Sequence, residues 1–280
     1  MANETSLTSL NDLIAPIVQE ALFVASESAI MPNLVRRFAI ANNTGKVLQV
    51  PLYPTQSISS DVAEQTDLTN TEVSTNVANI TLTEAGIMTT LTDMAKNYAV
   101  SNVVADLGKL FGEAIAKRHD AALIGKFGSF SASIGATSRE LAVEDLFQAY
   151  ATLKSNAVPG PYYGVFHPRA IYSIKKSLTN SFVNPNPSVV VNGAMLEGYI
   201  GRIAGIDIFE TSNVTGTSAG EYINAVFSRD AIGLAVSSAL KIETQRDASL
   251  RAEEIVATTV YGCSVLHDTY GVKIIGDATL

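Results

Sequence analysis

A single cysteine, Cys263, stands in a chain of 280 residues. One thiol excludes an intrachain disulfide and leaves no redox motif, and between Gly262 and Ser264 it reads as a small strand residue. Charge is scarce as well: Asp, Glu, Lys and Arg make up 16% of the residues, where about a quarter is usual. Set against 47% apolar residues, that scarcity points to large surfaces buried against partners in addition to a core. The net charge of −8 argues against a dedicated nucleic-acid binder, because neutralising phosphates needs concentrated Lys and Arg. No apolar run approaches the roughly 18 residues that cross a bilayer. Residues Met1 to Ser6 lack the basic stretch of a signal peptide, so the expectation is a soluble chain that is intracellular when made. The Asn-X-Ser/Thr matches at Asn3, Asn42, Asn79 and Asn213 then carry no weight as glycosylation sites.

Catalytic constellations are missing too. His119, His167 and His267 lie far apart, with no Cys or carboxylate at zinc-ligand spacing, so no metal is expected. Gly108, Gly112, Gly125 and Gly128 have neither the strand nor the spacing of a phosphate loop or dinucleotide fingerprint, and no cofactor is implied. Gly216-Thr-Ser-Ala-Gly220 does match the Gly-X-Ser-X-Gly pattern, with Asp230 or Asp247 and His267 following in hydrolase order. That chemistry needs a sharp strand-to-helix elbow that presents the serine above a sheet. Here polar turn residues precede the motif and an apolar strand, Tyr222 to Phe227, follows it, which is the pattern of a hairpin turn. A serine hydrolase using Ser218 is the enzymatic alternative, and nothing else in the chain supports one.

What is present is organised around residues 101–127. Val103/Val104, Leu107, Leu110/Phe111, Ala114/Ile115, Ala121/Ala122 and Ile124 fall at the spacing of one helix face. Asp106, Lys109, Glu113, Lys117 and Asp120 alternate in sign on the other side. At 1.5 Å per residue the segment would span about 40 Å. Ahead of it, residues 6–31 carry helical spacing at Leu10, Leu13/Ile14, Ile17/Val18, Ala21/Leu22 and Val24, interrupted by Pro16; such an apolar arm needs something to dock on.

Residues 47–95 differ from the rest. They hold six acidic residues, Asp61, Glu64, Asp67, Glu72, Glu84 and Asp93, and no Lys or Arg. Lys46 to Tyr53 reads as a strand with Pro51 at an edge, and Ser74 to Thr83 alternates with period two. Thr83 to Gly86 would then turn, with Gly86 left-handed, and Ile87 to Leu91 would return as a second strand. A two-stranded ribbon is marginal in water by itself, so this one needs a neighbour to lie on.

Beyond the long helix, residues 128–138 read as a small-residue linker. A helix over Val143 to Ser155, a strand over Tyr162 to Phe166, a helix over Pro168 to Leu178 and strands over Ile206 to Glu210 and Tyr222 to Phe227 have an α/β rhythm. The last quarter reads as mostly β, with strands over Ala239 to Arg246, Glu254 to Val265 and Tyr270 to Ile275.

This order, together with particular segments, resembles the major capsid protein of tailed bacteriophages, a fold shared with encapsulin shells. Met31-Pro-Asn-Leu-Val-Arg-Arg-Phe38 followed by Gly45-Lys-Val-Leu-Gln-Val-Pro51 resembles the family's lead-in to an extended loop. Gly112 to Gly125 is similar to the second half of its spine helix, and Val165 to Leu178 to its axial strand and helix. Gly201 to Asn213 and Ala225 to Ile232 are similar to the strands that follow.

The resemblance implies an α+β phage major-capsid fold in five parts. These are an N-terminal arm over 1–45, an extended β-ribbon loop over 46–95, a spine helix of a peripheral domain over 96–130, an α/β axial domain over 131–238, and closing strands over 239–280. The closing strands would be mainly peripheral, with the last one free to return to the axial domain. It implies a non-enzymatic homo-oligomer: hexamers and pentamers in an icosahedral head enclosing double-stranded DNA, assembled in the host cytoplasm into a virion. A separate scaffold, a portal and decoration or cement proteins are the expected partners, and no membrane is involved. An encapsulin-like shell around protein cargo shares the fold.

Some members crosslink subunits through a lysine of the extended loop; with no lysine in 47–95, the expectation is a non-covalent clasp. Asp61, Glu64, Asp67, Glu72 and Glu84, with Ile80 and Leu82 as apolar contacts, would meet Lys109, Lys117, Arg118, Arg246 and Arg251 of a neighbour. Exposed ion pairs contribute about 0–1 kcal/mol each, so the apolar contacts would carry more.

Overall fold

A computed structural model of the chain describes residues 30–40, 45–53, 74–98, 103–181, 201–214, 216 and 221–277. The long helix, α3 (Val103–Ile124), is preceded by two short ones, α1 (Met31–Leu34) and α2 (Asp93–Tyr98). Leu107, Phe111, Ile115, Ala116, Leu123 and Ile124 of α3 are buried, the three- and four-residue steps of one face.

That face lies on a four-stranded sheet ordered β1-β10-β11-β4, built from β1 (Arg36–Ala39), β10 (Ile232–Asp247), β11 (Ala252–Val265) and β4 (Thr83–Thr92). Leu107 and Phe111 cluster with Leu91 of β4 and with Ile255 and Ala257 of β11. The β10–β11 hairpin is antiparallel along nearly its whole length, with irregular register between Val236 and Lys241. At about 3.3 Å per residue β10 extends some 50 Å. Two strands of that length would be unstable alone, and α3 supplies the apolar cover.

The second sheet has six strands in the order β5-β12-β9-β6-β8-β7. Its members are β5 (Ser133–Glu140), β6 (Tyr162–Phe166), β7 (Arg202–Ile203), β8 (Ile206–Glu210), β9 (Glu221–Ser228) and β12 (Gly271–Asp277). Helices α4 (Val143–Ser155) and α5 (Pro168–Ser181) cover it: Leu146, Ala149 and Leu153 of α4 and Ala170, Ile171 and Ile174 of α5 cluster with Phe166, Ile206, Val226 and Ile274. Pro168 opens α5, where its missing N–H costs nothing. The last strand, β12, sits inside this sheet between β5 and β9. A third core joins the sheets: Met31, Leu123, Phe127, Phe130, Val165, Phe227, Ile232, Leu234 and Tyr261 pack together where α3 ends and β9 passes into β10.

Three local expectations are corrected. Residues 83–92 form one continuous strand paired to β11, with no turn at 83–86; Gly86 lies opposite Thr258 and has no positive φ. A Cβ at Gly86 would come within 3.1 Å of the Thr258 side chain, so its use is close strand approach. The partner of Ser74 to Thr83 is upstream: β2 (Val47–Leu52) pairs antiparallel with β3 (Asn76–Thr81), Leu48 opposite Ile80 and Pro51 opposite Val77. The small-residue stretch after α3 holds a short 3-10 turn, Phe127–Ser129, and then β5, an edge strand parallel to β12. Small, mostly exposed side chains give β5 no apolar alternation, and its pairing spans some 140 residues of sequence, so no local signal marks it.

Candidate assembly surfaces

The ribbon finds its neighbour within the chain. Val50, Ala78, Ile80 and Leu82 cluster with Ala235 of β10 and with Leu266, and the Leu82 N–H donates to the Lys46 carbonyl at 2.8 Å. Ile80 and Leu82, expected to face another subunit, are therefore buried in their own. The period-two alternation identified the buried face correctly and its partner wrongly. Asp61, Glu64, Asp67 and Glu72 lie outside the described residues. Glu84 is exposed on β4, where its charge helps hold the Lys241 amine above its usual range, after the closer Glu243 carboxylate at 2.5 Å.

The five basic candidates separate into two groups. Arg246 is engaged within the chain: its guanidinium donates twice to Asp93, each bond 2.6 Å, and pins α2 to the end of β10. Arg251 closes the β10–β11 turn with φ 51°, and its carbonyl accepts the Asp93 N–H at 3.0 Å. Both hold the return of the ribbon in place. Lys109, Lys117 and Arg118 are exposed on α3. Arg118 also borders a groove of about 450 Å³ between α3 and the sheet, lined by Glu84, Ala85 and Ile87 of β4, Ala114 and Ile115 of α3, and Ala257 of β11.

Arg246 holds the Asp93 carboxyl below the usual carboxylate range, by hydrogen bond first and by charge second. A depressed acid contributes stability that is fully present above its unfolded pKa of 3.8 and is lost as pH falls through the lowered folded value. Arg246→Ala should return the Asp93 midpoint to ordinary carboxylate values in an NMR titration. A midpoint unchanged by the substitution would show that the guanidinium is not the cause.

Sequence reasoning missed Asp120, treated as part of a solvated charge stripe. It is buried, and its carboxylate accepts the N–H groups of Met31 at 3.2 Å and Ile30 at 3.4 Å and the Asn213 amide at 3.5 Å. It thus ties the start of α1 and the loop after β8 to the spine helix. Burial pushes its carboxyl above the usual range, opposed by these three donors. The alternating charges gave no sign of this, because burial of Asp120 depends on α1 arriving from 90 residues away.

The chemistry-bearing side chains serve structural ends. His119 packs at a tilt against Tyr261, ring centroids 4.5 Å apart, and lies 3.3 Å from the Thr259 hydroxyl; burial lowers its pKa, helped by Arg37. Cys263 is half-buried and donates to the Ala122 carbonyl at 3.3 Å, and burial raises its thiol pKa, the opposite of what a reactive cysteine needs. Among the described residues no group of three or more His, Cys, Asp or Glu could hold a metal ion, and no helix is long and apolar enough to cross a membrane. Ser218 lies outside the described residues, although Gly216 bridges to Tyr222 in the manner of a hairpin. Asp247 and His267 stand at opposite ends of the β10–β11 hairpin, and Asp230 pairs with Arg36 at 3.5 Å.

With this architecture in view, residues 76–275 match the family model described as phage capsid protein. The chain belongs to the phage capsid protein family. Solved structures agree in fold. A chain from Mycobacterium phage Che8 superposes with a TM-score of 0.70 at 18% identity, covering 88% of this chain and 90% of that one. One from Gordonia phage Cozz gives 0.70 at 16% identity, covering 90% and 87%. The holo-SrpI encapsulin complex from Synechococcus elongatus gives 0.66 at 12% identity, covering 89% and 88%. The search of curated proteins finds no match. The capsid chain is thus a structural shell subunit rather than an enzyme, and its expected α+β capsid fold is the observed one.

Proposed function

We propose that this capsid chain is the major head protein of a tailed phage, forming hexamers and pentamers that close into an icosahedral shell around double-stranded DNA. The family match over 76–275, across both sheets and the spine helix, carries the reading. The six-stranded sheet with α4 and α5, β12 included, serves as the axial unit around which the capsomers form, and the spine helix with β4, β10 and β11 serves as the peripheral wall. The net charge of −8 supports an inner surface that does not trap DNA by neutralising its phosphates. Assembly takes place in the host cytoplasm with a separate scaffold and a portal, and decoration proteins can be added afterwards. Subunits are held without a lysine crosslink from the ribbon, which has no lysine. The acidic ribbon meets the exposed basic residues of α3 on a neighbour instead, Lys109, Lys117 and Arg118.

The likeness to an encapsulin complex supports a second reading, a shell around protein cargo. Electron microscopy of purified particles separates the two. Closed icosahedral shells filled with DNA are the expected result; shells filled with protein would select the second reading. Absence of closed shells would overturn both.

A further inference from the structure

Among the described residues, two aspartates are almost wholly buried, Asp120 and Asp145. Asp145 has a cation, the Arg139 guanidinium, and accepts the Ala142 N–H at the start of α4. Asp120 has no cationic partner among the described residues. Its donors are neutral: the N–H groups of Met31 and Ile30 and the Asn213 amide. At 3.2 to 3.5 Å these bonds are long for a charged acceptor, which draws its donors to about 2.7–2.9 Å. Asp120 also stands close to the end of α3, where the helix dipole is negative and disfavours an anion. The pocket fits a carboxyl group and holds its charge poorly.

One partner can answer either protonation state. An asparagine side chain carries two N–H donors and a carbonyl acceptor, and a half-turn exchanges them. Asn213 Nδ2 donates to Asp120 Oδ2, while Asp120 Oδ1 accepts the Met31 N–H. When Oδ2 takes a proton from solvent, the turned amide offers its oxygen to the new O–H, and the Met31 bond is kept. The surrounding elements add no competing charge. Ile30, α1 and residues 211–214 have no titratable side chain. Those on neighbouring elements are Arg36 and Arg37 of β1, Glu210 of β8, Lys117, Arg118 and His119 of α3, Lys126 after it, and Tyr261 and Cys263 of β11. Arg37 is engaged by the Pro32 carbonyl and the Asn33 side chain. Burial first, opposed by the three donors, sets the Asp120 carboxyl above its usual range, and none of these charges contributes. A raised acid binds its proton more tightly in the docked state. Docking therefore has its full stability below the unfolded pKa of 3.8 and loses it as pH rises through the raised folded value.

We propose that Asp120 and Asn213 form a proton-operated latch at the base of the N-terminal arm. With the carboxyl protonated, Asn213 accepts its O–H, and the Ile30–Met31 entrance is clamped between the spine helix and the loop after β8. With the carboxylate ionised, a buried charge opposes the same contact and the entrance opens more readily. Ile30 is the first described residue, so the latch governs the point from which the apolar residues 6–29 depart. Met31, Leu34 and Val35 share a core with Leu123, Phe127 and Val214, so opening at Asp120 loosens the joint between the two sheets. The latch is a property of the single subunit and does not depend on the shell reading.

Amide exchange on the free, full-length subunit at about pH 7 tests the latch. Asp120→Asn supplies the uncharged form permanently, and the amides of Met31 and of Asn33 to Val35 should exchange about tenfold more slowly than in the wild type. A tie that depends on the ionised carboxylate predicts the reverse, so faster exchange in the variant would overturn the proposal. Adding Asn213→Leu should abolish the gain; a gain that survives would overturn the role of Asn213. In the wild type, after correction for intrinsic exchange, the same amides should slow as pH falls from about 8 towards about 5. Asp120→Asn should be flat over that range and His119→Gln should keep the slope. A flat wild-type profile would overturn the proton dependence, and loss of the slope in His119→Gln would assign it to the imidazole instead. Amides of α4 should follow none of these changes; a parallel change there would show global stability rather than a local latch.

Discussion

Phe127→Ala should cost the free subunit about 4 kcal/mol of unfolding free energy, the largest loss expected from a single side chain in this protein. Phe127 follows α3 directly, in the short 3-10 turn, and is completely buried. Its ring stands 5.6 Å from that of Phe227 in a tilted arrangement, so it connects the end of the spine helix to the centre of the six-stranded sheet. Met31, Leu123, Val165, Ala225 and Tyr261 belong to the same cluster, leaving little freedom for the void to collapse. Urea unfolding of the unassembled subunit measures the loss. Combining Phe127→Ala with Phe227→Ala should show coupling of about 1 kcal/mol. A Phe127→Ala loss under about 1 kcal/mol would mean that the sheets are held together elsewhere.

Gly262→Val is expected to act at a different joint. Gly262 lies in β11 where the ribbon crosses it, and a Cβ there would stand 2.4 Å from the Thr81 carbonyl oxygen and 3.1 Å from Ile80. The obstacle is backbone rather than a flexible side-chain end, so β3 must move away or β11 must bend. Either response opens the cluster that contains Ile80, Leu82, Ala235 and Leu266. A loss of about 2–3 kcal/mol follows from overpacking of this kind. Amide exchange should rise selectively in β2 and β3 while α4 and α5 keep their protection. Equal loosening of both sheets would contradict a local role for Gly262. The ribbon supplies the acidic segment proposed to reach a second copy, so the same variant should also impair shell closure.

Elements whose side chains report their own surroundings could be read directly. The apolar rhythm of α3 needs only the next turn of the same helix to be recognised, and Pro168 and the strand from Ile206 to Glu210 are equally local signals. Pairings that join distant segments could not. Residues 83–86 resemble a turn until β11 is present to take their backbone hydrogen bonds. The Ser133 to Glu140 stretch resembles a linker until β12 arrives beside it. The candidate site divided in the same way: the absence of basic residues from 47–95 was plain, whereas the use of Arg246 by Asp93 needed a contact across 153 residues.

The sequence by itself therefore determined the order of elements, the amphipathic spine, the acidic ribbon without lysine and the absence of a catalytic constellation. Each follows from composition or from periodicities of two and 3.6 residues, which are local. Only the tertiary structure decided that Ile80 and Leu82 are consumed within their own subunit, that Asp120 is a buried tie rather than a surface charge, and that β4 ends its sheet among the described residues. Those outcomes depend on which surfaces meet, and hydrophobic burial rewards apolar area removed from water without specifying in the sequence which partner removes it.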